Sequence, residues 1–364
     1  MNRFTSEDVS TIRLTNLLVS SPTAGTPANV VAHLGALQAQ DHPGALWAIG
    51  LRSQNTVTAS IEQAIVDRTI VRTWPMRGTL HYVPGADIHW MLELCTRRPI
   101  ATAAQRRDFL RLKSSDFDRS EAAFAIALQG GKQLLRDDMY RVMAEAGVDA
   151  SGQRGVHVLR HFAMTGLLCF GSHEGKQPSF ALLDEWAPNR KLITRNEALA
   201  ELAKRYFLSH GPATVDDFVR WSGLSVGECR TGINAVSSLL RCDIIEAKTY
   251  WAPLDTDVFQ NKSRAAYLLP GFDEFMLGYK DRSAALDSDH TDAICPGGNG
   301  MFIPTIVING KVIGTWSRTI KKNKTQIVLK PFERLSELEL DAVSSAGDRY
   351  SRFISSPTEV IYPH

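Results

Sequence analysis

The strongest constraint on this chain is a repeating order of elements: two or three helical segments followed by two short strand-like segments, three times over. In the first unit, apolar residues at 3–4 spacing predict helices over 7–20 (Val9, Ile12, Leu17, Leu18), 28–39 (Val30, Val31, Leu34, Leu37) and 58–68 (Ile61, Ala64, Ile65). Strands follow over 70–73 and 79–83, separated by the Pro/Gly-punctuated segment Trp74-Pro75-Met76-Arg77-Gly78. The second unit reads as helices over 120–128, 136–146 and 154–165, then strands over 167–170 and 179–183 with a tip at 171–176. The third reads as helices over 196–209, 214–221 and 225–240, with strands near 243–247 and 250–253. Thr214-x-x-Asp217 and Ser225-x-x-Glu228 mark two of its helix starts as capping boxes. Helices closed by a strand pair are the pattern of a winged helix.

After about residue 264 strands dominate, over 266–269, 302–308, 311–316 and 325–329, and Asn309-Gly310 predicts a type I′ hairpin turn. A small antiparallel sheet or barrel-like element is expected there, closed by a helix over 335–354. The expected organisation is therefore α+β: winged helix 1 over 1–92, a basic connecting helix over 93–118, winged helix 2 over 119–190, winged helix 3 over 191–258, and a β-rich element with its terminal helix over 259–364.

With 44% hydrophobic and 22% charged residues, the 364-residue chain is neither disordered nor low in complexity. Its formal charge of +2 excludes a uniformly polyanion-binding surface, so any such site is local. Two stretches qualify. Arg97, Arg98, Arg106, Arg107, Arg111 and Lys113 crowd the connection, and Lys311, Arg318, Lys321, Lys322, Lys324, Lys330 and Arg334 stand against Glu333 alone, a local +6. Five scattered cysteines without a C-x-x-C pair indicate neither a disulfide framework nor a zinc knuckle, which fits a reducing cytoplasm. No run of about 18 apolar residues predicts a membrane span, and the N-terminus lacks a secretory apolar core.

Gln38-Ala39-Gln40 ends an apolar helix and precedes Asp41-His42-Pro43-Gly44, which breaks it. In a helix, positions i and i+2 point about 200° apart, so the two amides share a direction only where the helix unwinds. Glutamines at a helix end also satisfy terminal carbonyls, and spacing alone leaves both readings open. An amide is no general base near neutral pH, yet its carbonyl can hold a water and face a developing positive charge. That chemistry suits a substrate already primed to leave, such as the N-glycosidic bond to a purine alkylated at N3 or N7.

The segment Thr73-Trp74-Pro75-Met76-Arg77-Gly78-Thr79-Leu80-His81 combines aromatic, cationic, hydroxyl and imidazole groups on a hairpin of the kind that enters a nucleic-acid groove. Trp74 also reads as core, whereas Arg77 and His81 do not. His157 and His161 lie one helical turn apart but lack the Glu of a zinc-protease motif, and read as a helix face. The acidic run from Asp287 has Asp292 and Gly298 where a calcium loop needs Gly and Glu. Pro296-Gly297-Gly298-Asn299-Gly300 lacks the Gly-Lys-Ser/Thr of a nucleotide loop and reads as a turn. No metal site and no cofactor is expected.

Three segments, His33 to Asp41, Thr73 to His81 and Leu268 to Arg282, together resemble the AlkZ/YcaQ family of bacterial DNA glycosylases over nearly the whole chain. The resemblance implies tandem winged helices in a C-shape around duplex DNA, a β-barrel-like element, and excision of alkylated purines, interstrand crosslinks included. It implies that Gln38 and Gln40 position the water and stabilise the sugar cation, and that Thr79, Leu80 and His81 lie near the lesion. Gln40 places the chain with the Gln-x-Gln branch, which resembles self-resistance enzymes against DNA-alkylating natural products. No Lys beside the motif offers a Schiff base, so monofunctional hydrolysis is expected. Duplex DNA carrying alkylated purines is the expected partner of a monomeric protein, with Trp74, Arg77, Arg318, Lys321 and Lys322 also contacting DNA. Asp273, Glu274 and Asp281 read as architectural. Two other readings compete: a non-enzymatic winged-helix transcription regulator, and a protein that sequesters the alkylating compound itself.

Overall fold

Trp47 explains why the first part of the chain does not close on its sequence neighbours. In the computed structural model, which describes residues 5–256, 264–322 and 324–362, its indole is 1% exposed and lies 5.0 Å from the rings of both Tyr350 and Phe353. Both belong to the last helix, Glu337–Ile354, and the Trp47 Nε1 donates to Leu268 O at 2.7 Å. The described residues up to Ile61 thus join those from Leu199 onward in one compact unit, and Glu62–Ala198 form a second. The first predicted unit is divided between them, its leading helices in one and its hairpin in the other. The boundary expected at 258 lies outside the described residues.

The stretch expected as the third winged helix holds helices Arg195–His210, Val215–Ser222 and Val226–Ala235, the last of them five residues shorter than expected, then the ribbon Leu240–Ile245 with Lys248–Pro253, which begins earlier than expected. Both capping boxes form. Thr214 Oγ1 accepts from Asp217 N at 3.1 Å while Asp217 Oδ2 accepts from Thr214 N at 2.9 Å, and Ser225 and Glu228 repeat the exchange at 3.3 and 2.8 Å. Tyr206, Phe207, Phe218 and Trp221 fill the space between these helices.

The C-terminal strands make a five-stranded sheet in the order Thr358–Ile361, Thr325–Pro331, Lys311–Ile320, Thr305–Ile308, Ala266–Leu269. Asn309 and Gly310, at φ 51° and 76°, form the predicted turn. The sheet is not wholly antiparallel: Thr358–Ile361 pairs parallel to Thr325–Pro331, because the helix Glu337–Ile354 is a crossover that returns the chain to the same end.

In the second unit the two predicted hairpins share one sheet, joined where Arg72 faces Phe170, with the short strand Leu134–Leu135 at the edge beyond Gln177–Leu182. Trp74, Phe124, Phe162, Phe170 and Phe180 lie in one apolar cluster, with Trp74 and Phe170 centroids 5.0 Å apart. The basic connection is not one helix. It divides into Arg97–Thr102 and Ala104–Phe109 before Ser114–Leu128, interrupted at Ala103 and by Arg111, whose φ is +52°. Its arginines are largely exposed, so few apolar contacts hold a longer helix together. Among the described residues, no helix is long and apolar enough to cross a membrane.

Candidate active site

The helix carrying the approach to Gln38 stops at Leu34, five residues earlier than its apolar spacing suggests, because Gly35 turns out of the helix at φ +79°. Leu37 and Gln38 are extended, and Gln40 sits in a bend before the helix His42–Arg52. The unwinding that both amides needed in order to share a direction is therefore present. Gln38 is 8% exposed, Ala39 is fully buried and Gln40 is exposed. The Gln38 Oε1 is buried without a hydrogen-bond partner among the described residues.

A buried carboxylate holds this loop from behind. Glu274, 1% exposed, accepts the Gln38 backbone N–H at 3.2 Å through Oε1. Its Oε2 accepts from Trp221 Nε1 at 3.0 Å and lies 3.3 Å from His210 Nε2. His210 is itself fixed, stacked on Tyr206 at 4.7 Å with its Nδ1 2.7 Å from Ser209 Oγ. A carboxylate removed from water needs such donors, and this one receives them from a loop and from a predicted winged helix.

Next to Glu274, Asp273 forms a fully buried bidentate pair with Arg52, at 2.8 and 2.9 Å. Arg52 also donates to Leu17 O and Ala48 O, and Asp273 caps the turn Glu274–Leu277 through Phe275 N. The pair thus ties the helix that follows the Gln-x-Gln loop to the segment that supports it. Asp273 is thus held in a fully buried ion pair, in keeping with the architectural reading. Glu274 touches the loop directly, which its sequence position did not reveal, and neither His210 nor Trp221 carried any sequence signal for this role. Asp281 pairs with Lys248 at 2.5 Å, and Lys280 with Asp216 at 2.7 Å, a local ion network.

In the second unit the hairpin runs Ile70–Met76 and Thr79–Pro84, so its turn is only Arg77-Gly78, both at positive φ. Trp74 and Leu80 are 9% and 8% exposed, while Arg77 and Thr79 are half-buried at the tip. His81, expected outside the core, is fully buried because its ring folds back along the hairpin. Its Nδ1 lies 2.9 Å from Thr79 O and its Nε2 3.2 Å from Arg77 Nη2. A guanidinium only donates, so Nε2 accepts and Nδ1 carries the proton.

In the C-terminal sheet Arg318 leans over the Tyr350 ring and donates to its hydroxyl at 2.6 Å, whereas Lys321 and Lys322 are exposed at the end of their hairpin. No three His, Cys, Asp or Glu side chains among the described residues gather as metal ligands. His161 packs edge-on against Phe117 at 4.6 Å, and burial, then Arg107 and His157, push its pKa down to about 4. Since an unfolded histidine titrates near 6.5, the unfolded chain takes up a proton at a pH where the folded one does not. Stability is therefore full above about 6.5 and lost as pH falls toward about 4. His161→Phe is expected to flatten the melting midpoint over that window in part, leaving a residual slope from His173, which burial likewise pushes down to about 4, and from His33 and His157, which burial also pushes down. An unchanged curve would remove His161 as a cause.

The solved structure of Streptomyces sahachiroi DNA glycosylase AlkZ matches this fold with a TM-score of 0.79 at 23% identity, covering 99% of this chain and 100% of that one. The interstrand DNA cross-link repair glycosylase of Streptomyces sahachiroi is 25% identical over 360 residues, covering 93% of this chain and 94% of its relative. A family model, DNA glycosylase AlkZ-like, matches residues 31–353, and the chain belongs to that AlkZ-like DNA glycosylase family.

Proposed function

We propose that this protein is a monofunctional DNA glycosylase that hydrolyses the N-glycosidic bond of N3- or N7-alkylated purines in duplex DNA, with bulky adducts and interstrand crosslinks among its substrates. The observation that carries the reading is the buried Gln38 amide, whose oxygen has no partner among the described residues and whose backbone is pinned by Glu274. A carbonyl oxygen so placed accepts a hydrogen bond from water and orients it without deprotonating it. Gln40, two residues on and exposed, supplies a second amide dipole to the developing positive charge of the sugar. As the cationic purine leaves, the C1′–N bond breaks with its electron pair going to the base, water oxygen bonds to C1′, and the surplus proton passes to solvent. No strong base is needed, because alkylation has already made the base a good leaving group.

The stretches 119–190 and 191–258 are read as winged helices that carry DNA, with Arg77, Thr79, Leu80 and His81 as DNA-contacting residues of the hairpin in Glu62–Ala198 and Lys321 and Lys322 toward phosphates. The 25% identity to a cross-link repair glycosylase supports the inclusion of crosslinks. The test is base release from a duplex bearing one N7-methylguanine, and separately from one bearing a purine–purine crosslink, read as alkali-labile breaks on a gel. Breaks are expected with both, equally with and without EDTA. Sequence-specific binding to undamaged DNA with no release from either duplex would return the protein to the regulator reading.

A further inference from the structure

The turn Arg77-Gly78 holds a guanidinium that the proposed chemistry does not use. Arg160, on the helix Arg154–Thr165, places its Nη2 against Gly78, where a Cβ on any other residue would collide with it. Arg160 is half-buried, its Nε is buried without a partner among the described residues, and burial pushes its pKa below the usual arginine range. The contrast on the same helix is Arg154, whose Nε lies 3.3 Å from Asp149 and whose Nη2 lies 3.7 Å from Asp116.

The charges acting on His157 and His161, which flank Arg160, are cationic. His157, one turn earlier, has its pKa lowered by burial and then by Arg160, Arg107 and Arg106, so all three guanidinia face a common region. Arg106 donates to the amide of Gln153, and Arg107 lies 6.0 Å over the Phe117 ring. Among the described residues neither pairs with a carboxylate. Desolvating a guanidinium without an anion is costly, and such a site is complete only when an external anion arrives. A planar fork of donors matches the oxygens of a phosphate. Arg106 is exposed and Arg107 half-buried, so the cations lie along a surface instead of closing round a small ion.

We propose that Arg160, with Arg106 and Arg107, forms a seat for a backbone phosphate of duplex DNA beside the hairpin tip. The assignment rests on duplex DNA being the substrate, and its test does not depend on lesion chemistry. Fluorescence anisotropy of an undamaged labelled duplex is measured for the full-length protein, Arg160→Gln and Arg160→Lys between 50 and 200 mM salt. Arg160→Gln is expected to bind about tenfold more weakly, with the slope of log affinity against log salt shallower by about one, while Arg160→Lys keeps the slope. On damaged DNA the loss is expected in KM and not in kcat. Wild-type affinity and slope in Arg160→Gln would overturn the seat. So would a lowered kcat at unchanged affinity, which places Arg160 at the lesion. Equal loss of melting temperature and affinity in both variants would make Arg160 structural. Stronger displacement of the duplex by inorganic phosphate than by chloride at equal ionic strength would assign the seat to a free anion.

Discussion

Gln38→Ala and Gln40→Ala are each expected to lower base release by on the order of a hundredfold or more, the cost of removing one preorganised dipole from a charge-developing centre. Thermal stability is expected to change by less than about 1 kcal/mol. The asymmetry between catalysis and folding follows from the surroundings. Gln40 is exposed, and the Gln38 side-chain oxygen makes no hydrogen bond among the described residues that its loss would break. The Gln38 backbone N–H, which Glu274 accepts, survives truncation of the side chain. Single-turnover base release at saturating DNA, beside melting curves of the same preparations, makes the comparison. A variant that melts as the wild type and releases base at the wild-type rate ends the water-positioning role of that residue. Parallel loss of folding and activity would make the amides structural.

Arg52→Ala and Asp273→Ala are expected to act in the opposite sense, through the fold. Each leaves an unpaired charge where both partners are fully buried, at a cost of about 3–5 kcal/mol. For a unit of this size that corresponds to a fall of roughly 10 °C in its melting transition. The double variant Arg52→Met/Asp273→Leu is expected to be more stable than either single change, since no orphan charge remains. Melting curves of the three variants decide it, and losses that simply add would show that the two residues do not act as a pair.

What could be read from the sequence was local. The capping boxes at Thr214 and Ser225, the Asn309-Gly310 turn and the helix over 154–165 stand as expected, because each depends on contacts within a few residues. Pro43 misled: it reads as a helix breaker after Gln40, yet it lies in the first turn of His42–Arg52, where a missing N–H costs nothing. The helix over 28–39 was overextended because Leu34 and Leu37 keep helical spacing across Gly35. The strand Thr358–Ile361 went unseen, since its partner is set by a crossover and not by a turn. Around the candidate site, the amides were legible as a motif. Their support was not, for Glu274 is 236 residues from Gln38, and Trp221 and His210 meet it from a third region. His81 was misjudged because a histidine folded against its own strand looks, in sequence, like one pointing away.

The order in which these parts leave the ribosome sets when the amide loop becomes competent. Glu62–Ala198 emerges whole and has its own core, so it can close while the rest is still being made. The Gln-x-Gln loop is synthesised earlier but lacks Glu274, Asp273 and the Tyr350–Phe353 wall until the last third of the chain arrives. At about 5–20 residues per second that delay is some tens of seconds. Nascent chains that end early therefore carry the motif without the carboxylate that holds it.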